Sequence, residues 1–250
     1  MTHVFVHGNP ETEAVWWPLA DELRSRGVDD VVLLSPPGFG APVPHGWDAT
    51  HDSYRMWLVA ELEHLGGDIH LVGHDWGAGH VYGVVAHRPD LLRSWAADCA
   101  GLMHPDYVWH DAALAWQTPG VGEQAIAAMV GRNPEERAGF LGARGISGEV
   151  ADHVGAGIDA AMGQCILDLY RSAAQPVLQR LGELAEAAPY GPGLVIIATA
   201  DTYTGTPDMA RHSAARVEAQ TLVLEGAGHW WMLEQPGAAA DGLCCFWAGV

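Results

Sequence analysis

The five residues Gly73-His74-Asp75-Trp76-Gly77 constrain this chain more than any other stretch. They follow the apolar run Ile69-His70-Leu71-Val72 and precede Ala78-Gly79-His80-Val81-Tyr82-Gly83-Val84-Val85, which reads as a helix. A strand that turns straight into a helix around one residue leaves no room for side chains on either flank, hence glycine two positions before and two after. The pinched residue is thrust out of the sheet. It is most often a serine; here it is Asp75. A carboxylate attacking carbon makes an alkyl ester, whereas a serine attacking a carbonyl makes an acyl ester. The bland alternative, an aspartate that merely caps the helix, is outweighed by the strand before it, the helix after it and the partners described below.

The rest of the chain has the rhythm that such a turn needs. Short apolar runs at residues 2–7, 30–35, 68–73, 92–99, 194–199 and 220–225 read as buried strands. Helical spacing over 11–26, 50–65 and 76–87 falls between the first four, and Pro236 opens a last helix over 236–246. The pattern predicts an α/β fold with a mostly parallel sheet of about six strands and helices on both faces. Residues 103–189 break the rhythm with helical segments (123–130, 149–162 and 166–178) and no convincing strand. We therefore expect a core of residues 1–102 and 190–250 and a helical cap of residues 103–189, set over the strand ends where open α/β sheets bind ligands. The Pro/Gly-rich stretch Pro36-Pro37-Gly38-Phe39-Gly40-Ala41-Pro42-Val43-Pro44 reads as a rigid loop.

Charge narrows the partners. Twelve basic residues against 31 acidic ones give a formal net charge of −19, which opposes nucleic acid and anionic membranes and favours a small, neutral, apolar substrate. The start of the chain lacks a signal-peptide pattern and no apolar run is long enough to cross a bilayer, so a cytoplasmic protein is expected. Cys99, Cys165, Cys244 and Cys245 show no disulfide or C-x-x-C spacing and read as buried thiols. The 14 histidines lack the spacing of a metal site, and no cofactor is expected.

Two further stretches complete a triad in the order nucleophile, acid, histidine. The run 194–199 leads into Ala200-Asp201, and the run 220–225 leads into Gly226-Ala227-Gly228-His229-Trp230. A neutral imidazole held by a carboxylate can activate water against an ester of Asp75 near pH 7. His229 is the expected base and Asp201 its orienting acid, with Asp98, also at the end of a strand, in reserve. After the first strand, His7-Gly8-Asn9-Pro10 brings the Asn9 amide close to the elbow, where it and the Trp76 amide can form an oxyanion hole.

These motifs together resemble the aspartate-nucleophile branch of the α/β-hydrolases, which holds epoxide hydrolases and haloalkane dehalogenases. The matching pieces are His7-Gly8-Asn9-Pro10-Glu11, Gly73-His74-Asp75-Trp76-Gly77-Ala78, Asp201 and Gly228-His229, with a cap segment Trp116-Gln117-Thr118-Pro119-Gly120-Val121-Gly122-Glu123. The resemblance implies two candidate reactions. For an epoxide, a cap tyrosine protonates the ring oxygen, and Leu169-Tyr170-Arg171 resembles the family's second such tyrosine. The first falls on Ala112, so a partner donor must come from Tyr107 or a tryptophan N–H. For a haloalkane, Trp76 and the Asn9 side chain resemble the halide-binding pair of a dehalogenase subgroup whose acid stands where Asp98 is. Epoxide opening through Asp75, Tyr170, His229 and Asp201 is the preferred expectation, dehalogenation the alternative, and a non-catalytic small-ligand binder a third. Trp109, Trp116, Trp230 and Trp231, among eleven tryptophans, suggest an aromatic pocket, with Tyr107 at its side. Without a match to the family's two leading strands in this sequence, a sheet of about six strands with one exposed edge is expected, and a homodimer is the expected cover for that edge.

Overall fold

The computed structural model describes residues 1–189 and 191–250; residue 190, at the expected boundary between cap and core, lies outside the described residues. Six strands, β1 (Thr2–Val6), β2 (Val31–Leu34), β3 (Ile69–Gly73), β4 (Ser94–Ala97), β5 (Gly193–Ala198) and β6 (Gln220–Leu224), form one sheet in the order β2-β1-β3-β4-β5-β6. Every pairing is parallel, which is why β1, β3 and β4 read as apolar runs rather than as alternating ones. All strands therefore end at the same edge. Val6 pairs with Gly73, Gly73 with Ala97 and Ala97 with Val195, so the residues following β1, β3, β4 and β5 are laid side by side. The strand order reverses at β1, and the crevice outside that switch point is where such sheets place ligands.

Helices α1 (Trp17–Ser25), α2 (His51–Leu65) and α3 (Trp76–His87) connect the first strands. A short 3-10 turn at Glu13–Trp16, capped by the Thr12 hydroxyl, precedes α1, so the single helix expected over 11–26 is two elements. Between β4 and β5 run α4 (Asp111–Gln117), α5 (Val121–Val130), α6 (Pro134–Gly142), α7 (Gly148–Gly157), α8 (Ala160–Ser172) and α9 (Val177–Ala187). The helix expected over 149–162 is broken at Ile158-Asp159, because the Asp159 carboxylate caps α8 by accepting Met162 N at 2.8 Å. The one expected over 166–178 spans the end of α8 and the start of α9. Helix α10 (Pro207–Arg216) links β5 to β6, and α11 (Trp231–Glu234) and α12 (Pro236–Ala248) close the chain, with α12 packed on α1. No helix among the described residues is long and apolar enough to cross a membrane. All four cysteines are free; Cys99 and Cys165 are buried as expected, but Cys244 is only half-buried and Cys245 exposed, because they sit where α12 turns towards solvent.

Candidate active site

Asp75 has φ 51° and ψ −121°, a backbone conformation that non-glycine residues rarely adopt. The flanking glycines make the turn possible. A Cβ on Gly77 would lie 2.1 Å from the Val6 carbonyl oxygen, and one on Gly73 would lie 2.6 Å from that of Gly77. The strained turn is fixed from β4, where the Asp98 carboxylate accepts Asp75 N at 3.0 Å. It is also fixed from β1: Asn9 N donates to Asp75 Oδ2 at 3.0 Å, across a gap that only glycine at position 8 leaves open. The Trp76 amide makes no hydrogen bond to the carboxylate in this geometry, so of the two expected oxyanion donors only Asn9 is engaged.

The His229 ring bridges two carboxylates. Its Nδ1 lies 2.9 Å from Asp201 Oδ2, and its Nε2 lies 3.6 Å from Asp75 Oδ1. Asp201 is held in turn by Tyr203 N at 2.7 Å and the Thr204 hydroxyl at 2.9 Å. Burial opposes a charge on Asp201, but His229 and these donors lower its pKa to about 2. Burial likewise opposes charge on His229, yet Asp201 and then Asp75 raise its pKa well above the ordinary value. Asp75, though buried, is kept ionised by His229, by the charge on His74 and by the Asn9 amide.

Asp98, the reserve acid, does not meet His229. Its Oδ2 binds His74 Nδ1 at 2.5 Å and accepts the Trp231 indole N–H at 2.7 Å. On the other side of His74, Glu11 Oε1 lies 3.1 Å from Nε2 and accepts the Trp230 indole N–H at 2.6 Å, while Glu11 Oε2 accepts Gly8 N at 3.0 Å. Burial works against a charge on His74, but Asp98 and Glu11 raise its pKa to about 10. Two acids and an imidazolium thus form a buried brace linking the β1 loop, the elbow and the end of β4. Sequence reasoning missed it: Glu11 and His74 lie inside motifs already in view, but nothing in their spacing shows that they touch. The sets of acid, cysteine and histidine atoms close enough to share an ion, such as Glu11–His74–His229 and Cys99–Asp201–His229, draw on these same carboxylates and imidazoles, which are already paired with one another, and add the buried thiol of Cys99.

A cavity of about 630 Å³, including its open mouth, lies over Asp75 and is walled by Asn9, His229 and Trp230 from the sheet side and by His110, Trp116, Met129 and Tyr170 from the helices between β4 and β5. Tyr170, on α8, is buried against the rings of Trp76, Trp109 and Trp116, with centroids 5.2, 5.5 and 4.8 Å away. Burial, and next the Asp75 carboxylate, push its phenol well above the ordinary value and keep it protonated. The neighbouring Arg171 ties α8 to α5 through Glu123, whose other oxygen accepts Gly120 N, so the Tyr170-Arg171 and Trp116–Glu123 motifs meet in one corner. Tyr107, the expected substitute for the missing first tyrosine, donates its hydroxyl to the Tyr203 carbonyl at 3.0 Å in this geometry. With Trp76 and Trp109 it lines a smaller cavity that shares Asp75, His110 and Tyr170. Trp231 belongs to the buried brace rather than to the pocket. His110, which no sequence signal had marked, caps α4 by accepting Ala113 N on Nδ1 at 3.3 Å, leaving its proton on Nε2. Both polar atoms of the Asn9 carboxamide are buried without a partner among the described residues.

The family model described as "Alpha/beta hydrolase family" matches residues 4–241. The chain belongs to the α/β-hydrolase family. No curated protein matches it. Among solved structures, a loop variant of a haloalkane dehalogenase from Bradyrhizobium elkanii is 19% identical with a TM-score of 0.73, over 99% of this chain and 90% of that one. A thermophilic esterase from Thermogutta terrifontis is 21% identical (TM-score 0.73; 100% of this chain, 90% of that one). An E-2-(acetamidomethylene)succinate hydrolase is 18% identical (TM-score 0.72; 99% and 91%). At these identities the likeness establishes the α/β-hydrolase fold, on which several chemistries are carried.

Proposed function

We propose that this hydrolase opens an epoxide to a diol through an alkyl ester on Asp75. The observation that carries this reading is the placement of Tyr170, a buried and protonated phenol lining the same cavity as the Asp75 carboxylate. Asp75 attacks a ring carbon, the C–O bond breaks, and Tyr170 gives its proton to the departing oxygen. His229 carries a proton at rest because two carboxylates face it. Once Asp75 is esterified its charge is gone, so His229 loses one of its two anionic partners and gives up its proton, which restores the tyrosine.

The now neutral His229, oriented by Asp201, takes a proton from water as that water adds to the ester carbonyl, and the Asn9 amide bonds the oxyanion. Collapse returns Asp75 as a carboxylate, His229 in its protonated form and the diol, so atoms and charges balance. In this reading residues 103–189 act as the cap that supplies Tyr170 and the apolar wall.

A second reading, hydrolytic dehalogenation, is favoured by one observation: the unpartnered Asn9 carboxamide beside Trp76 would suit a halide leaving Asp75's substrate. Against it stands the acid. The subgroup that this pair resembles keeps its acid where Asp98 lies, and Asp98 is bound to His74 and Trp231, while His229 meets Asp201. Measuring diol formation from styrene oxide and halide release from 1-bromobutane side by side decides between them; halide without diol reverses the order. His229→Gln is expected to accumulate a covalent adduct on Asp75, visible by intact mass, and a chain that only binds its ligand shows no such shift.

A further inference from the structure

Every basic residue in this chain is an arginine, and most are matched to carboxylates. Arg26 pairs with Glu22 and Asp241, and Arg88 with Glu63 and Asp90. Three arginines at the α5–α6 end of the cavity behave differently. Arg137 donates to the carbonyls of Gly155 and Val130, at 3.1 and 2.6 Å. The guanidinium groups of Arg132 and Arg144 lie over the Phe140 ring, 4.4 and 3.7 Å from its centroid. Arg144 Nη1 donates only to the Phe140 carbonyl, at 3.1 Å. Glu234, which lies under Gly145, is engaged by the Gly228 amide instead. Carbonyls and an aromatic face position a guanidinium but do not cancel its charge. Arg144 therefore keeps its charge at this rim with a carbonyl and an aromatic face as its partners, in a protein of formal net charge −19.

Arg144 is the one arginine among the residues lining the cavity, and Asp75 the one carboxylate. Trp116, Met129 and Leu141 make the wall apolar. We propose that the cavity binds a molecule with an apolar body whose remote end is a carboxylate received by Arg144. The overall acidity of the chain repels such an anion at long range, so a dedicated cation at the rim is what makes its capture selective. The inference uses the epoxide reading only for what happens at the Asp75 end.

The test is a comparison of 4-phenylbutanoate with 4-phenyl-1-butanol, equal in length and differing in charge, titrated against the intact protein by calorimetry and by the fluorescence of Trp116 and Trp230. The carboxylate is expected to bind about three- to tenfold more tightly, as for a partly exposed ion pair. That preference shrinks in 0.5 M NaCl, disappears in Arg144→Gln and returns in part in Arg144→Lys. Equal binding of acid and alcohol by the unmodified protein, binding of neither, or a preference that survives Arg144→Gln overturns the proposal. The epoxide reading fails separately: a chain that prefers the acid through Arg144 yet makes no diol keeps the subsite and loses the reaction, and one that makes diol while binding acid and alcohol alike does the reverse.

Discussion

The imidazole of His74 stands 4.6 Å from that of His229, centroid to centroid, and the two rings are held by different carboxylates. His229 is bound by Asp201, and His74 by Asp98 and Glu11. Two adjacent cations would repel in a dry interior, so the arrangement depends on each ring keeping its own anions. The two strand-end aspartates therefore have separable duties. Asp201→Asn is expected to cost about 2 kcal/mol, the linkage worth of a carboxyl lowered from 3.8 to about 2, and to slow hydrolysis of the covalent ester by 100-fold or more, seen as adduct accumulation in single-turnover mass measurements. Asp98→Asn leaves the charged His74 facing an amide inside the core. It is expected to cost about 3–5 kcal/mol in urea unfolding, the usual penalty for breaking a buried pair. Equal effects of the two substitutions on both measurements would remove the distinction.

A second expectation concerns pH. The folded pKa of His74 is about 10, against an ordinary 6.5. Between those values the folded chain holds a proton that the unfolded chain has released. The stabilisation is complete below pH 6.5 and falls as pH rises towards 10, by about 1.4 kcal/mol per pH unit for each such proton. Asp201 has the opposite sign: its pKa is lowered to about 2, so its contribution is present above 3.8 and is lost as pH falls towards 2. Urea unfolding from pH 7 to 9.5 should show a slope steeper by about one proton in the natural protein than in His74→Gln. Identical slopes would mean that His74 is uncharged in the fold.

Much of this site was legible because parallel strands deliver the residues after their ends to one edge. Asp75, Asp201, His229 and Asn9 each follow a strand, and a reader who finds the strands has found the edge. What the sequence leaves open is which of two equivalent strand-end acids reaches the histidine. That depends on rotamers and on competition: Trp231 and His74 take Asp98 away, and neither contact has a spacing signature. The brace through Glu11 was hidden for the same reason. Within the helices between β4 and β5, helical character was readable from apolar spacing, but the break at Asp159 was not distinguished from a continuous helix because short polar residues occur in both. Tyr107 illustrates the limit of analogy, being near the expected place with its hydroxyl turned to the Tyr203 carbonyl.

Tyr170 gives a prediction that separates the two reactions. In Tyr170→Phe the ring still packs against Trp76 and Trp116, but the proton for the ring oxygen is gone. A positioned general acid contributes on the order of 10²–10⁴-fold. The rate of ester formation from an epoxide is expected to fall within that range, while hydrolysis of an ester already formed changes little. Halide release, if the protein performs it, does not need the phenolic proton and should be spared. Stopped-flow adduct formation, measured separately from diol release, resolves these steps.

Gly8 carries the most stringent geometric requirement. A Cβ there would lie 2.1 Å from Asp75 Oδ2, well inside contact distance, and 2.5 Å from Asp75 Cβ. The carboxylate cannot retreat along its own backbone, because Asp75 N is tied to Asp98 and the turn is flanked by Gly73 and Gly77. In Gly8→Ala either the loop after β1 or the Asp75 side chain must move, and each movement breaks the 3.0 Å bond from Asn9 N. An ester on Asp75 would then form with poor alignment and its oxyanion would lose a donor worth about 100- to 1,000-fold. Alanine adds one methyl group at a loop that Glu11 still braces through Gly8 N, so the fold is expected to survive with a modest loss of stability. Diol formation at least 100-fold slower, alongside a cooperative unfolding transition like that of the natural protein, is the expected result. Unimpaired turnover in Gly8→Ala would show that the Asn9 amide and the Asp75 carboxylate do not act together.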